Sequence, residues 1–544
     1  MDIDVLIAGA GPTGLTLAAQ LARSGVSFRI LDKGRGPTDL SKAIGVQART
    51  LEILDILGDA ETLVSRGNQA RHFNIYDGAD RILKLDFPGL DSRFPFLLVV
   101  PQSETEKALM QTLDWYGVSV ERNTALSALV QDASGVWATV SGPDGKEEQI
   151  RARWVAGCDG AHSTVRHLLS MPFTGEEYLD GFMLADVRVS WNRPQDELYL
   201  FLHEGRLIAF FAFPDGRYRI IADLPPDQAS PESAPALADC QRLVDERVPF
   251  PAQLSDPEWT AYYRIHRRIV PRLQEGRVFL AGDAAHIHSP AGAQGMNTGI
   301  QDAFNLGWKL ALVAQGCAGD SLLASYHEER YPVERAVLQG TDFLLKMASL
   351  KTPALRSLRD HALPLISSTR AFQTIAAERI SEISVDYHDS LCLTDRDYTK
   401  GLRPGERAPD GELEREDGSR IRLYQLLREG KFLLLAFADI EDDLDYELLT
   451  ALDEIPPALS ELTIIVIITR HTRSGMPHAQ ASADPDGQPY KICRDLPGDV
   501  FEKYGATHPC VRIVRPDGYL GFRSDARNFP AAISEYATKG LCLR

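Results

Sequence analysis

The chain has 544 residues, too many for one hydrophobic core, so two or three domains are expected. With 44% hydrophobic and 25% charged residues it has the make-up of an ordinary globular protein. A formal net charge of −18, offset by no basic run, argues against nucleic acid or an anionic membrane as main partner. The longest apolar stretch, LTIIVIIT at 462–469, reads as a buried strand and is far too short to cross a bilayer. The first residues read as a strand, so no signal peptide is expected. Seven scattered cysteines with no CxxC pair point to a reducing, cytoplasmic setting.

The first segment, DVLIAGAGPTGLTLAAQLARSGVSFRILDK, predicts strand, turn, helix and strand. Ile3 to Ala8 is an apolar strand, and Gly9, Gly11 and Gly14, with Pro12 and Thr13 between them, form a GxGxxG turn. Leu15, Ala18, Ala19 and Ala22 give the helix one apolar face, and Gly25 ends it. The second strand closes on Asp32, followed by Lys33. Such a turn lets a pyrophosphate approach bare backbone at a helix N-terminus, and an acid at the position of Asp32 accepts from ribose hydroxyls. The motif fits FAD or NAD equally, and no second GxGxxG is present for another nucleotide.

Between residues 180 and 225 the runs MLADVRVSW, ELYLFLHEG, RLIAFFAFP and GRYRIIADLP predict a β-meander. Alternation puts Tyr199, Phe201 and His203 on one face and Leu198, Leu200 and Leu202 on the other. Leu207, Ala209, Phe211 and Phe213 share a face of the next strand. One face must pack on the body of the protein, and the other is free to roof a cavity for a flat apolar ligand. The basic cluster RIHRR at 264–268 is either a phosphate attractor or a solvated edge.

GRVFLAGD then reads as a short buried strand ending on Asp283, well placed for the polyol of a ligand. The turn SPAGAQG leads to a helix with Ile300, Phe304, Gly307, Ala311 and Ala314 in one stripe, and Thr298 with Gln301 fits a capping box. Its glycine-rich start offers free N–H groups, which suit the negative charge of a reduced flavin, although an ordinary strand–loop–helix corner has the same composition. His286 and His288 lack other spaced ligands, so no metal is expected. Loose helical periodicity follows SYHEERYPVERA to about residue 385, and the Pro/Gly/charge-rich segment 403–420 reads as a boundary. Beyond it come strands KFLLLAF and LTIIVIIT, then CVRIVRPDGYLGFR with PDG as a hairpin turn.

Three motifs in order, GAGPTG (9–14), GCDGAHSTVR (157–166) and GRVFLAGDAAHIHSPAGAQGMNTGIQDAFNLGWKLA (276–311), resemble the FAD-dependent aromatic hydroxylases. These are the single-component group A flavoprotein monooxygenases, which include para-hydroxybenzoate and phenol hydroxylases. The resemblance covers most of residues 1–345 and implies an α/β protein. Its Rossmann-like, glutathione-reductase-like FAD-binding domain would be discontinuous, over 1–175 and 270–345. A β-sheet substrate domain would span 176–269, a helical connection 346–400, and a thioredoxin-like α/β domain 401–544. ADIEDDLD stands where that last domain's CxxC would follow its first strand, so a structural or dimer-supporting role is expected, and a homodimer with it.

The resemblance also implies roles. Gly9, Gly11, Gly14 and Asp32 would hold the ADP half of FAD. Arg49, in VQARTLE, would reach its phosphates or ribityl chain, and Gln102 would also meet FAD. Asp159 would serve both FAD and NAD(P)H. Asp283 would bind the ribityl chain, Pro290 would lie beside the isoalloxazine, and Gly295, Met296 and Asn297 would offer backbone to its pyrimidine edge. Arg219 matches a position linked to flavin movement. Two departures stand out: Ala293 replaces a frequent glycine, and Lys42 a common arginine.

The implied reaction is hydroxylation of a phenolic or polycyclic aromatic ring, with NADPH or NADH and O2 as co-substrates, through a C4a-hydroperoxyflavin. His203 and Tyr199 are candidate bases by strand parity alone. Baeyer–Villiger insertion or epoxidation on a polyketide-like substrate is the alternative, as is a flavin-binding protein without turnover. The WxW pair of flavin halogenases is missing.

Overall fold

Ile3–Ala8 is apolar on both faces because it lies inside a parallel sheet, between Phe28–Asp32 and Glu147–Gly157. Val278–Leu280 joins the far side of Glu147–Gly157, also parallel. The computed structural model describes residues 2–544 apart from 38–42, 59, 227, 229–233, 289–292, 349–366, 368, 398–400, 439–446, 449 and 471–489. The glycine turn, Asp32, Asp159 and Asp283 therefore all leave the carboxyl ends of four adjacent parallel strands, where ligands of open α/β sheets bind. An antiparallel hairpin, Ala125–Gln131 and Val136–Ser141, pairs with the first half of Glu147–Gly157. Helix Pro12–Arg23 packs on helix Gly295–Ala314, close enough that a Cβ on Gly307 would touch Gln20 and Leu17.

The second sheet has eight strands in the order His286–Ile287, Gln253–Ile269, Thr174–Ser190, Arg217–Leu224, Arg206–Ala212, Glu197–His203, His72–Asp77 and Asp80–Asp86. The four expected meander strands are present. The last two strands come from the N-terminal segment, and the long strand Gln253–Ile269 takes in the RIHRR cluster. One face is sealed by helix Leu237–Arg247: Tyr199, Phe201, Phe210, Tyr218 and Ile220 form one core with its Cys240, Leu243 and Val244. The opposite face turns to a small three-stranded sheet of Gly45–Val46, Leu97–Val99 and Asn68–Ala70. There Phe73, Leu198, Phe211 and Phe213 pack on Ile44, Ala48, Leu97 and Val99.

The third sheet runs Thr394–Arg396, Leu520–Asp525, Cys510–Val514, Phe432–Phe437, Thr463–Thr469, Tyr490–Arg494, Glu412–Arg415 and Arg420–Arg422. Phe432–Phe437 and Thr463–Thr469 are parallel neighbours buried along their whole length, which explains their unbroken hydrophobicity. The expected PDG hairpin joins Cys510–Val514 to Leu520–Asp525, with Gly518 at φ +77°. Segment 403–420 is no loose linker: Arg407, Ala408 and Asp410 are buried in it, and Thr394–Arg396 before it already belongs to this sheet. All seven cysteines are unpaired, and no helix among the described residues is long and apolar enough to cross a membrane.

Candidate active site

The three glycines of the first turn have three different reasons to be glycine. A Cβ on Gly9, at φ +102°, would collide with the Cys158 carbonyl of the DG strand, and one on Gly14 with the Gly9 carbonyl. A Cβ on Gly11 would meet nothing within 4 Å. Gly11 thus faces open space at the start of a helix that has no side-chain cap, so unsatisfied N–H groups line a cradle fit for a pyrophosphate. Asp32 closes the turn, accepting the N–H of Ala10 (2.7 Å) and of Gly34 (2.6 Å), while Lys33 is exposed.

The GD loop is built directly on this turn. A Cβ on Gly282 would lie 2.6 Å from Thr13 Oγ1, and one on Gly299 2.5 Å from the same oxygen. Asp283 is exposed on the short turn Gly282–Ala284. Helix Gly295–Ala314 also starts without a side-chain cap among the described residues, and the N–H groups of its first turn, Gly295, Met296 and Asn297, have no partner within the helix. Asn297 stitches the loop to its surroundings: Nδ2 donates to Gly45 O (3.0 Å) and Ala293 O (2.6 Å), and Oδ1 accepts from Gln47 N–H (2.9 Å). Ala293 takes the left-handed conformation, φ +54°, and its methyl stands 2.6 Å from where a Cβ on Gly45 would be. The loop that departs from glycine is matched by a glycine opposite.

Beneath the loop lies a buried charge network. Asp302 accepts from Arg330 Nε (2.7 Å) and Gly282 N–H (3.0 Å) and pairs with His286 Nε2 (2.8 Å). Arg330 also donates to Tyr387 Oη and Thr298 O. Burial disfavours the charged His286 ring, but Glu334 and Asp302 outweigh it and raise its pKa to about 9. Asp302 thereby fixes the N–H of Gly282 and, through it, the setting of Asp283.

A family profile describing an FAD binding domain matches residues 2–341. The chain belongs to the FAD-dependent aromatic monooxygenase family. The monooxygenase is 35% identical over 441 residues to pentachlorophenol 4-monooxygenase of Sphingobium chlorophenolicum, covering 80% of each chain. It is 32% identical to 6-methylpretetramide 4-monooxygenase of Streptomyces rimosus, over 95% of this chain and 90% of that one. Its fold superposes on the structure of OxyS anhydrotetracycline hydroxylase from Streptomyces rimosus with a TM-score of 0.76 and 30% identity, over 100% and 99% of the two chains.

Several residues of the monooxygenase stand elsewhere than the sequence implied. The Arg49 guanidinium is fully buried away from the glycine cradle. It donates to Glu52 (3.0 Å), Tyr424 Oη (3.3 Å) and Asp517 O (2.6 Å) and lies over the Tyr519 ring, so it joins its helix to the C-terminal unit. The Asp159 carboxylate caps helix Thr164–Leu168, accepting from Thr164 N–H (2.6 Å), Val165 N–H (3.2 Å) and the Ser163 hydroxyl. Gln102 frames the site: its Oε1 accepts from Ala43 N–H and its Nε2 donates to Glu106.

Thr298 and Gln301 form no capping box, because the helix begins at Gly295. Thr298 Oγ1 donates to Gln294 O, and Gln301 Nε2 to Glu382. Tyr199 is on the sealed face of the second sheet, bonded to Glu197 and Pro194 O. Burial and Glu197 push its hydroxyl well above the usual range, so it is no base for the cavity. His203 shares that parity and sits at the strand end beside Arg206. Pro290 lies outside the described residues.

Arg219 lies on the face of the second sheet opposite helix Leu237–Arg247. It is held bidentate by Asp186 (2.7 and 2.6 Å), between the rings of Trp259 and Phe213. Sequence reasoning missed Asp186, Trp259, Tyr263 and Asp302. Strand parity relative to Arg219 was the one available pointer to the first three. His286, Asp302 and Glu334 bring three ligand atoms within 4.8 Å, though Arg330 already supplies Asp302 with a counter-charge.

Proposed function

We propose that this FAD-dependent monooxygenase inserts one oxygen atom into a phenolic ring of a polycyclic aromatic substrate, with NAD(P)H as reductant and O2 as oxidant. The observation that carries the reading is the second sheet's inner face, where register puts Phe182, Phe211, Phe213, Trp259 and Tyr263 on one side of the strands and where Phe211 and Phe213 pack on Ile44 and Ala48, next to the Gly45 that meets Ala293 of the flavin loop. Bound FAD, once reduced, supplies the activated oxygen, which is cofactor chemistry. The protein's part is binding, orientation and exclusion of water. The uncapped turn at Gly295 offers N–H groups and a positive helix end to negative charge on the flavin's pyrimidine edge. Asp283 and the Gly11 cradle are the contacts we assign to ribityl and pyrophosphate, with Gly9, Gly14 and Asp32 shaping the turn.

The Arg219–Asp186 pair fixes a buried, charge-balanced guanidinium among aromatic rings, a rigid planar surface against which an aromatic substrate can be oriented. For the reductant we assign the cavity of about 320 Å³ lined by Arg267, Arg268, Arg335 and Glu176. Neither Arg268 nor Arg335 has an acidic partner among the described residues, which leaves their charge for phosphates. Glu176 at the rim selects against excess anionic charge. We further infer the FAD-binding, sheet and thioredoxin-like division of the chain given above, and a cytoplasmic setting for its seven unpaired cysteines.

The test is to purify the yellow holoenzyme, follow NADH and NADPH oxidation with phenols, naphthols, ketones and polycyclic quinones, and weigh the products. A product heavier by one oxygen with the ring skeleton intact supports hydroxylation. Ring expansion to a lactone would support Baeyer–Villiger insertion instead.

A further inference from the structure

His286 is pinned by its backbone and enclosed by its side chain. Its strand, His286–Ile287, follows the GD turn at once and pairs with Gln253–Ile269, and the residue is 1% exposed. Helix Ser325–Ala348 turns Arg330 and Glu334, one turn apart, toward the ring and its partner Asp302. Glu334 is also 1% exposed, and neither of its carboxylate oxygens has a hydrogen-bond partner among the described residues. Its ion-pair partner is His286 Nε2 at 3.6 Å, the same nitrogen that pairs with Asp302 at 2.8 Å. A carboxylate taken out of water with no hydrogen bond is costly unless a charge faces it. Here that charge is an imidazolium held between two acids.

The neighbouring groups support a charged ring. Arg330 is bonded through Nε to Asp302 (2.7 Å), so Arg330 and an imidazolium match Asp302 and Glu334 one for one. A proton rather than a metal ion completes such a group. Burial pushes the Tyr326 and Tyr387 hydroxyls and the Cys158 thiol far up, and the Glu382 carboxyl to about 8, so these four add no charge at neutral pH. Asp283, on the GD turn, adds one more pull toward the charged ring. Burial also lifts Glu334, to about 8 against the pull of His286, while His286 itself lies at about 9. The ring is therefore the member that keeps its proton longer.

We propose that Glu334 is a positioning residue that keeps His286 charged across the neutral range, and that this fixed cation under the GD turn holds the anionic FAD in place. The inference rests on the hydroxylase reading, which puts FAD on this turn, and it assigns a role to a carboxylate that the cofactor need not touch. A cation behind Gly282 and Asp283 offsets the negative charge that the FAD phosphates bring and that Asp283 itself carries. With Glu334 neutralised, burial of the ring is opposed by the remaining acids alone, and the ring discharges at lower pH.

The experiment follows the imidazole signals of histidine-labelled holoenzyme by NMR between pH 5 and 10, and FAD release on dilution by fluorescence at pH 6 and 8. One of the 13 histidines should stay charged to about pH 9, and its signal should be missing from His286→Gln. Glu334→Gln should lower that midpoint by at least about one pH unit. The ratio of FAD Kd at pH 8 to that at pH 6 should rise at least about threefold in Glu334→Gln relative to the parent, and Glu334→Asp should restore it. A merely structural role would weaken FAD equally at both pH values, and that result would overturn the proposal. A His286 ring already neutral at pH 7 in the parent would do the same, and this measurement needs no variant to fold. A ring that titrates only after EDTA treatment would put a metal on these groups and would also defeat it. None of these readouts needs turnover, so they stand apart from the product mass that tests oxygen insertion.

Discussion

Glu382→Gln isolates one buried proton. Glu382 is 2% exposed, adopts φ +61°, and receives a hydrogen bond from Gln301 Nε2. Burial pushes its carboxyl from the ordinary 4.5 up to about 8, against a pull downward from Arg330. The folded chain therefore keeps this proton at neutral pH, whereas the unfolded chain releases it above 4.5. Because the folded value is the higher one, the stability it contributes is complete below 4.5 and is lost as pH rises to about 8. The loss is about 1.4 kcal/mol per pH unit, or about 5 kcal/mol over the whole window. Glutamine matches the neutral acid in shape and has no proton to lose. The variant's advantage over the parent should thus grow by about 2.3 kcal/mol between pH 6 and pH 8, the parent's carboxyl being half-ionised at the upper end, and level off above about 9. Urea unfolding at pH 6, 7, 8 and 9, monitored through the tryptophans, measures that difference. A difference independent of pH between 6 and 8 would refute the reasoning, since it would mean the carboxyl is already ionised in the folded protein.

Gly11→Ala should fold normally yet lose FAD affinity by at least tenfold, because its methyl enters only the open cradle. Gly14→Ala should fail to fold, because its methyl meets the Gly9 carbonyl; soluble expression and flavin content separate the two. Gly45→Ala should destabilise the flavin loop by about 2 kcal/mol, and Ala293→Gly should restore it, since the clash is methyl against methyl. A thermal double-mutant cycle that shows no coupling would break that assignment. Arg268→Ala and Arg335→Ala should each raise the KM for NAD(P)H about tenfold while FAD content stays at one per chain, with the effect shrinking as salt rises.

What the sequence made legible was backbone chemistry. A glycine turn, a DG corner and a GD corner each need bare main chain at the carboxyl end of a strand, and that need is local. All three appear where expected, on adjacent parallel strands. Side-chain destinations were legible only as parity. Alternation correctly separates Tyr199 from Leu198, but the face that meets helix Leu237–Arg247 depends on a segment some forty residues later, so Tyr199 and His203 could be placed on the wrong side. Asp159 fell between two readings of one short motif, and its nearest N–H groups, those of Thr164 and Val165, capture the carboxylate. Arg49 was beyond reach: its carbonyl partner on Asp517 is 468 residues away in sequence.

That distance bears on what the C-terminal unit does for the rest of the chain. Arg515 is fully buried and bidentate to Glu329 (2.7 and 2.9 Å), which also takes Lys309 Nζ (2.8 Å). Asp517 accepts from Trp308 Nε1 (3.0 Å), and Arg407 reaches Glu52 (3.1 Å) beside Arg49. Trp308 and Lys309 stand on the helix whose first turn is Gly295–Asn297, and Glu52 and Arg49 on the helix that follows Gln47, a partner of Asn297. Removing one partner from a buried ion pair costs about 3–5 kcal/mol, because the other is left uncompensated. A chain ending near residue 400 would take Arg515 from Glu329, Arg407 from Glu52, and Tyr424 and the Asp517 carbonyl from Arg49 at once. The hairpin at Asp517 is therefore part of the frame that holds the flavin loop in place, and the loop's geometry is set as much from the last thirty residues as from the first fifty.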